Sequence, residues 1–188
     1  MVVVFLAMIF RSHLRTPTSL KLPSGTTVDV PTCLVDFKAW TRKDKNGRAI
    51  KLDSSVISTW NKEVLDHQGE PVFAELAILR VLTADGWDGR WVTPHKFRTG
   101  LLDQPQCELP PEQDALFRRI ATAKGSLRGC WDVFAWRESA VLFVEAKRNK
   151  KDKISQDQKE WLEAAMKVGV SLAHFLIVEW DVVVERVD

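Results

Sequence analysis

The sequence predicts an α/β fold, a central mixed sheet flanked by helices on both faces, with a β-rich extension at the N-terminus. Three observations point there. Two β-type runs, 131–136 and 140–147, are spaced like the arms of a hairpin. Apolar residues recur at helical spacing near 71–84, 112–123 and 155–168. A last run, 172–180, rich in Leu, Ile, Val and Phe, has the composition of a buried strand. At 188 residues and 45% hydrophobic content the chain suits one well-packed core. The expected division is an extension over residues 1–60 and a core over 61–188.

Residues 1–10 (MVVVFLAMIF) are apolar throughout, yet too short to cross a bilayer, which takes roughly 20 apolar residues. They lack the basic lead and small-residue cleavage site of a signal peptide. They read as a buried strand; a targeting segment and a misassigned start are the other readings. Residues 28–60 read as strand and turn, with Cys33-Leu34-Val35-Asp36-Phe37 as one strand and a polar turn at 43–47. A helix is expected from Gly69-Glu70-Pro71, because proline suits a first helical turn and Glu70 complements the positive helix end. Phe73, Leu76, Ile78, Leu79, Val81 and Leu82 supply its apolar face, and Asp85-Gly86 closes it. Glu75 rides on this otherwise apolar helix.

A short strand over 87–93 and a proline-interrupted loop over 102–111 lead to a second helix, 112–123, which carries Phe117, Ile120 and Arg118-Arg119. The hairpin follows, with four residues, Arg137-Glu138-Ser139-Ala140, between its paired ends. Ser155 is placed to cap a third helix, with Gln158 in capping-box position, Trp161, Leu162, Ala165 and Val168 facing inward, and Gly169 as the stop.

Composition removes several classes of function. A net charge of +2 rules out a uniformly basic nucleic-acid coat, though a local basic stripe remains open. Cys33, Cys107 and Cys130 are odd in number and far apart, so neither a disulfide framework nor a zinc ribbon is expected, and a reducing, cytoplasmic setting fits. His13, His67, His95 and His174 have no metal-ligand spacing, and no GxxxxGK[ST] phosphate loop is present.

The hairpin carries the chemistry. If Trp136 pairs with Val141, the same register sets Asp132 opposite Glu145 on one sheet face, and strand alternation puts Lys147 on that face too. Two apposed carboxylates repel, so a cation between them is expected. Hard oxygen donors suit Mg²⁺ or Mn²⁺, and Lys147 is placed to orient water or stabilise charge on a phosphate. A cross-strand salt-bridge cluster is the bland reading of the same three residues.

Gly129-Cys130-Trp131-Asp132, Phe143-Val144-Glu145-Ala146-Lys147 and Ser155-Gln156-Asp157-Gln158 with Trp161-Leu162 resemble the PD-(D/E)XK nuclease superfamily, its VRR-NUC branch most closely. The resemblance covers residues 71–180. It implies a restriction-endonuclease-like core and maps the family's catalytic positions onto Asp132, Glu145, Lys147 and Gln158, with its helix-borne acid on Glu75. Asp132, Glu145 and Glu75 would be the metal ligands. Trp131 stands where the family's proline precedes the aspartate, and the N-terminal third matches no pattern. Gln158 has a second expected role, closing the capping box, and one rotamer is expected to serve only one of the two.

The run KRNKKDK places Arg148, Lys150, Lys151 and Lys153 directly after the catalytic strand, where they are expected to track DNA phosphates, with Lys124 and Arg128 extending the surface. The expected activity is Mg²⁺-dependent hydrolysis of DNA, structure-specific at flaps or junctions. A catalytically silent nucleic-acid-binding module of the same fold and a restriction-type endonuclease are the rivals. No membrane association is expected, and a homodimer is, through residues 1–10 as an edge strand seeking a partner.

Overall fold

The computed structural model describes residues 13–40, 63–93, 96–98 and 107–183. In chain order these form β1 (His13–Leu14), β2 (Thr18–Lys21), β3 (Thr27–Val30), β4 (Thr32–Ala39), β5 (Leu65–His67), β6 (Glu70–Val72), α1 (Ala74–Ala84), β7 (Asp88–Thr93), β8 (Lys96–Arg98), α2 (Pro111–Lys124), β9 (Val133–Arg137), β10 (Ala140–Arg148), α3 (Gln156–Lys167) and β11 (Phe175–Val183). Nine strands make one sheet in the order β6-β5-β4-β11-β10-β9-β7-β8, with β1 also paired to β4. The neighbours β4, β11 and β10 run parallel and the other pairs antiparallel, so the sheet is mixed. A separate hairpin joins β2 to β3.

Strand alternation sorts the core into two layers. Leu142 and Val144 of β10 face α1, joining Leu76, Ile78, Leu79 and Leu82 with Val35, Leu176 and Val178. Phe143 points the other way, toward α2, α3 and the β2–β3 hairpin, where Phe117, Ile120, Trp161 and Leu162 meet Leu20 and Val30. Phe143 stacks on Phe134 at 4.6 Å and on Phe175 at 5.1 Å between ring centres, tying three strands together. Helices thus cover both faces, as the sequence predicts.

The structure differs from the sequence reading in four places. Glu70-Pro71 does not open a helix. Gln68 and Gly69, at φ 56° and 85°, turn the chain so that β6 pairs back on β5, and α1 begins at Ala74. Proline is tolerated there because β6 is the last strand of the sheet among the described residues and needs no outward donor. Glu70 instead binds Arg80 of α1 at 2.5 Å. In the β9–β10 hairpin, Arg137 pairs with Ala140, so the connection is only Glu138-Ser139, with Glu138 at φ 54°. The last run opens with a 3₁₀ turn, Leu172–His174, before β11. Finally, β4 of the N-terminal stretch lies inside the central sheet, parallel to β11.

The expected strand and dimer contact over 1–10 and the turn at 43–47 lie outside the described residues, as does the first half of the 102–111 loop. Among the described residues no helix is long and apolar enough to cross a membrane. Cys33, Cys107 and Cys130 form no disulfide.

Candidate active site

The site arises where one strand outruns its neighbour. β9 pairs with β10 from Arg137–Ala140 to Val133–Val144 and goes no further, whereas β10 continues to Arg148 with, among the described residues, only β11 beside it. The register is the one the sequence predicts, but Asp132 sits just before β9 and not in the ladder. Its backbone carbonyl accepts from Val92 at 2.7 Å, while its carboxylate Oδ2 accepts from the Ala146 amide at 3.0 Å. That amide would otherwise lack the strand partner β9 gives its predecessors, so a side chain fills in for a missing strand.

A cleft of about 440 Å³ opens at this step in the sheet and is lined by Glu75, Asp132, Glu145, Lys147, Arg148 and Gln158 among others. The structure therefore brings together all five sequence-predicted catalytic positions. Glu145 is 1% exposed, and its Oε2 has no hydrogen-bond partner among the described residues. Its Oε1 receives Lys147 Nζ at 2.8 Å and Gln158 Nε2 at 2.5 Å. Burial pushes the Glu145 carboxyl above its ordinary range. The Lys147 ammonium and the neighbouring Asp132 oppose that rise, and the negative charge of Glu75 adds to it. Glu75, 6% exposed, occupies the first turn of α1, where the positive helix end offsets part of the cost of burying a carboxylate.

Gln158 overturns the expectation that one rotamer serves one role. Its Oε1 accepts from the Ser155 amide at 2.8 Å, its backbone N–H donates to Ser155 Oγ at 3.3 Å, and its Nε2 reaches Glu145. The capping box is complete and the site contact is made by the other end of the same amide. Because a backbone N–H can only donate, it fixes Oε1 toward Ser155 and leaves Gln158 an obligate donor to Glu145.

The expected phosphate-binding residues separate. Lys151 and Arg148 line the cleft, although the Arg148 guanidinium is already bound to Glu63 and lies 5.5 Å from the Trp180 ring centre. Lys150 and Lys153 are exposed on the turn beyond β10, and Arg128 is exposed before the site loop. Lys124 does not face outward. Its side chain is 4% exposed and its ammonium holds Asp157 and Glu160 of α3, both at 3.3 Å, so it braces α2 against α3. Cys130, beside the site, is pushed up to about 12 by burial and by Asp132 and Glu145, which makes it an inert thiol.

Sequence reasoning missed Glu63, Asp152 and Trp180, which also line the cleft. Trp180 arrives through the parallel register that sets it beside Arg148, a long-range pairing with no local signal. Ser155 was legible as a cap; its hold on the site through Gln158 was not. Among the described residues no three His, Cys, Asp or Glu side chains stand arranged around a single ion position. Neither a family model, a curated protein nor a solved structure matches the chain significantly.

Proposed function

We propose that this chain is a divalent-metal-dependent nuclease that hydrolyses phosphodiester bonds in DNA, on a restriction-endonuclease-like core. The observation that carries the reading is Glu145: a carboxylate buried at 1% exposure, one oxygen without a partner, with Asp132 and Glu75 lining the same cleft and Lys147 at 2.8 Å. Such a cluster costs too much to serve packing alone, and perturbed buried acids in a cleft mark functional sites.

The donor set is all oxygen and fits a hard cation. Asp132, Glu145 and Glu75 would hold Mg²⁺ or Mn²⁺, which when bound supplies positive charge against the phosphate and acidifies water. Lys147, held on Glu145 at the centre of the site, offers a positive charge to orient the attacking water or to stabilise oxygens on phosphorus. Water oxygen bonds to phosphorus and releases one of its protons, the bond to the leaving sugar oxygen breaks, and that oxygen takes up a proton, so none is gained or lost in sum. Gln158 holds Glu145 in place throughout, and Lys151 at the cleft mouth draws the phosphate backbone in.

The silent-module reading draws on one observation, the Lys147–Glu145 ion pair that occupies the centre of the site. One experiment separates the two. Single-stranded, duplex, flapped and four-way-junction DNAs are incubated with the protein in Mg²⁺, Mn²⁺ or EDTA. Cleavage in either metal, lost in EDTA and in Lys147→Ala, is expected. DNA binding without cleavage in any condition would select the silent module, and full cleavage in EDTA would end the metal mechanism.

A further inference from the structure

We propose that a second cleft, on the far side of Lys147 from Glu75, binds the nucleotide that flanks the scissile phosphate, so that one DNA strand runs from the active-site cleft across Lys147 toward the β2–β3 hairpin. The proposal rests on the nuclease reading and specifies its substrate path. This cleft, about 340 Å³, shares Lys147 and Asp152 with the first, so the two adjoin. Leu20, Ile154 and Ile177 contribute its apolar walls, and Lys153 and Lys159 supply positive charge. Among the described residues neither of those lysines pairs with a carboxylate, unlike Lys124, Lys147 and Lys167.

The basic run after β10 is thereby divided. Arg148 and Lys151 line the first cleft and Lys153 the second, with Asp152 between them, its Oδ2 held by the Arg148 amide at 3.1 Å. Asp152 and Glu179 also line this cleft, but among the described residues neither is in ion-pair contact with Lys153 or Lys159, so an apolar wall beside two ammonium groups outside any ion pair matches a nucleotide, which offers an apolar base face and an anionic phosphate. The wall from β2 also gives part of the N-terminal stretch a place in substrate binding.

The test compares Lys153→Gln/Lys159→Gln with a charge-matched control, Arg118→Gln/Arg119→Gln on α2. Arg119 lines a groove with Val141 at the opposite end of β10, roughly 20 Å away at about 3.3 Å per strand residue. Binding of a fluorescein-labelled single-stranded DNA is read in EDTA against salt, cleavage in Mg²⁺, and folding by circular dichroism. The cleft variant should weaken binding about ten-fold or more and lower the salt slope by about 1.4, two contacts' worth on a single strand. It should raise KM with kcat within about two-fold, and the control should do neither. Equal effects in both variants, or an unchanged KM and slope in the cleft variant while the wild type cleaves DNA, would remove the subsite and leave the nuclease reading standing. A wild type that neither binds nor cleaves DNA would remove both.

Discussion

An amide side chain has a donor end and an acceptor end, and at Gln158 the two are used on different structures, a helix start and a buried carboxylate. Substitutions can part them. Ser155→Ala removes the hydroxyl that caps α3 but keeps the backbone N–H that orients the amide. It should cost about 1 kcal/mol in urea unfolding and leave catalysis nearly intact. Gln158→Met should cost about 2 kcal/mol and also depress turnover, because Glu145 loses its fixed donor. Equal turnover in the two variants would remove Gln158 from the chemistry. Glu145 makes a prediction of opposite kind. Its folded pKa is raised, so its contribution to stability is fully present below its ordinary value of 4.5 and is lost as the pH rises through the folded value. Glu145→Gln should therefore be the more stable protein above that window, by on the order of 1 kcal/mol, while inactive as a nuclease. At this scale the sequence was informative where spacing alone decides. Asp132, Glu145 and Lys147 follow from a period of two and one hairpin register. The ion pair that fixes Lys147 on Glu145 does not, since it depends on how deeply the pair is buried.

At the level of elements, α3 is located by two contacts that no helix signal contains. Gly129, at φ 72°, lies so close to the first turn of α3 that an added Cβ would fall 2.2 Å from the Asp157 carbonyl carbon. Gly129→Ala must push that turn away and also strain a left-handed residue. A loss of about 2 kcal/mol or more is expected, with reduced turnover as Gln158 moves from Glu145. Native-like stability and activity in this variant would contradict the close approach. Lys124 is the second contact. Lys124→Met should lower stability by about 1 kcal/mol, since Asp157 and Glu160 are partly exposed and can be rehydrated, and should leave the salt slope of DNA binding unchanged. A reduced slope would restore Lys124 to the phosphate-binding surface. The helix itself was legible because its signals are local: a serine cap, a glutamine three residues on and a closing glycine. The β5–β6 turn-back was not, because a proline after a glutamate is compatible with a helix start and only the pairing of Leu65 with Val72 decides against it.

Across the whole molecule the long-range strand order was the part least visible in sequence. Nothing local in Thr32–Ala39 says that it will run parallel to β11, more than a hundred residues away, yet that pairing encloses the centre of the sheet. The β2–β3 hairpin is fastened across the molecule in a titratable way. The Ser24 backbone amide and Lys167 Nζ each lie 2.9 Å from an oxygen of Glu163 on α3, and the Ser24 contacts together with Lys167 lower that carboxyl to about 2. A depressed carboxyl adds stability that is present above its unfolded value near 4.5 and lost as the pH falls toward about 2. The acid limb of unfolding should thus be shallower in Glu163→Gln, an effect moderated because its partner Lys167 is largely exposed.

The step where β9 stops short has one more consequence. Among the described residues no strand lies beside β10 beyond Val144 on the β9 side, which leaves a rim to which a strand from another molecule can add, and the Asp132 carboxylate occupies one of its donors. Asp132 is then a guard against self-assembly as well as a member of the cleft. Asp132→Ala should collect in higher-order species on light scattering as concentration rises, whereas Asp132→Asn, whose carbonyl oxygen can still accept from Ala146, should stay dispersed while losing the negative charge. A dispersed alanine variant would mean that bulk and not the filled donor keeps this rim from recruiting neighbours.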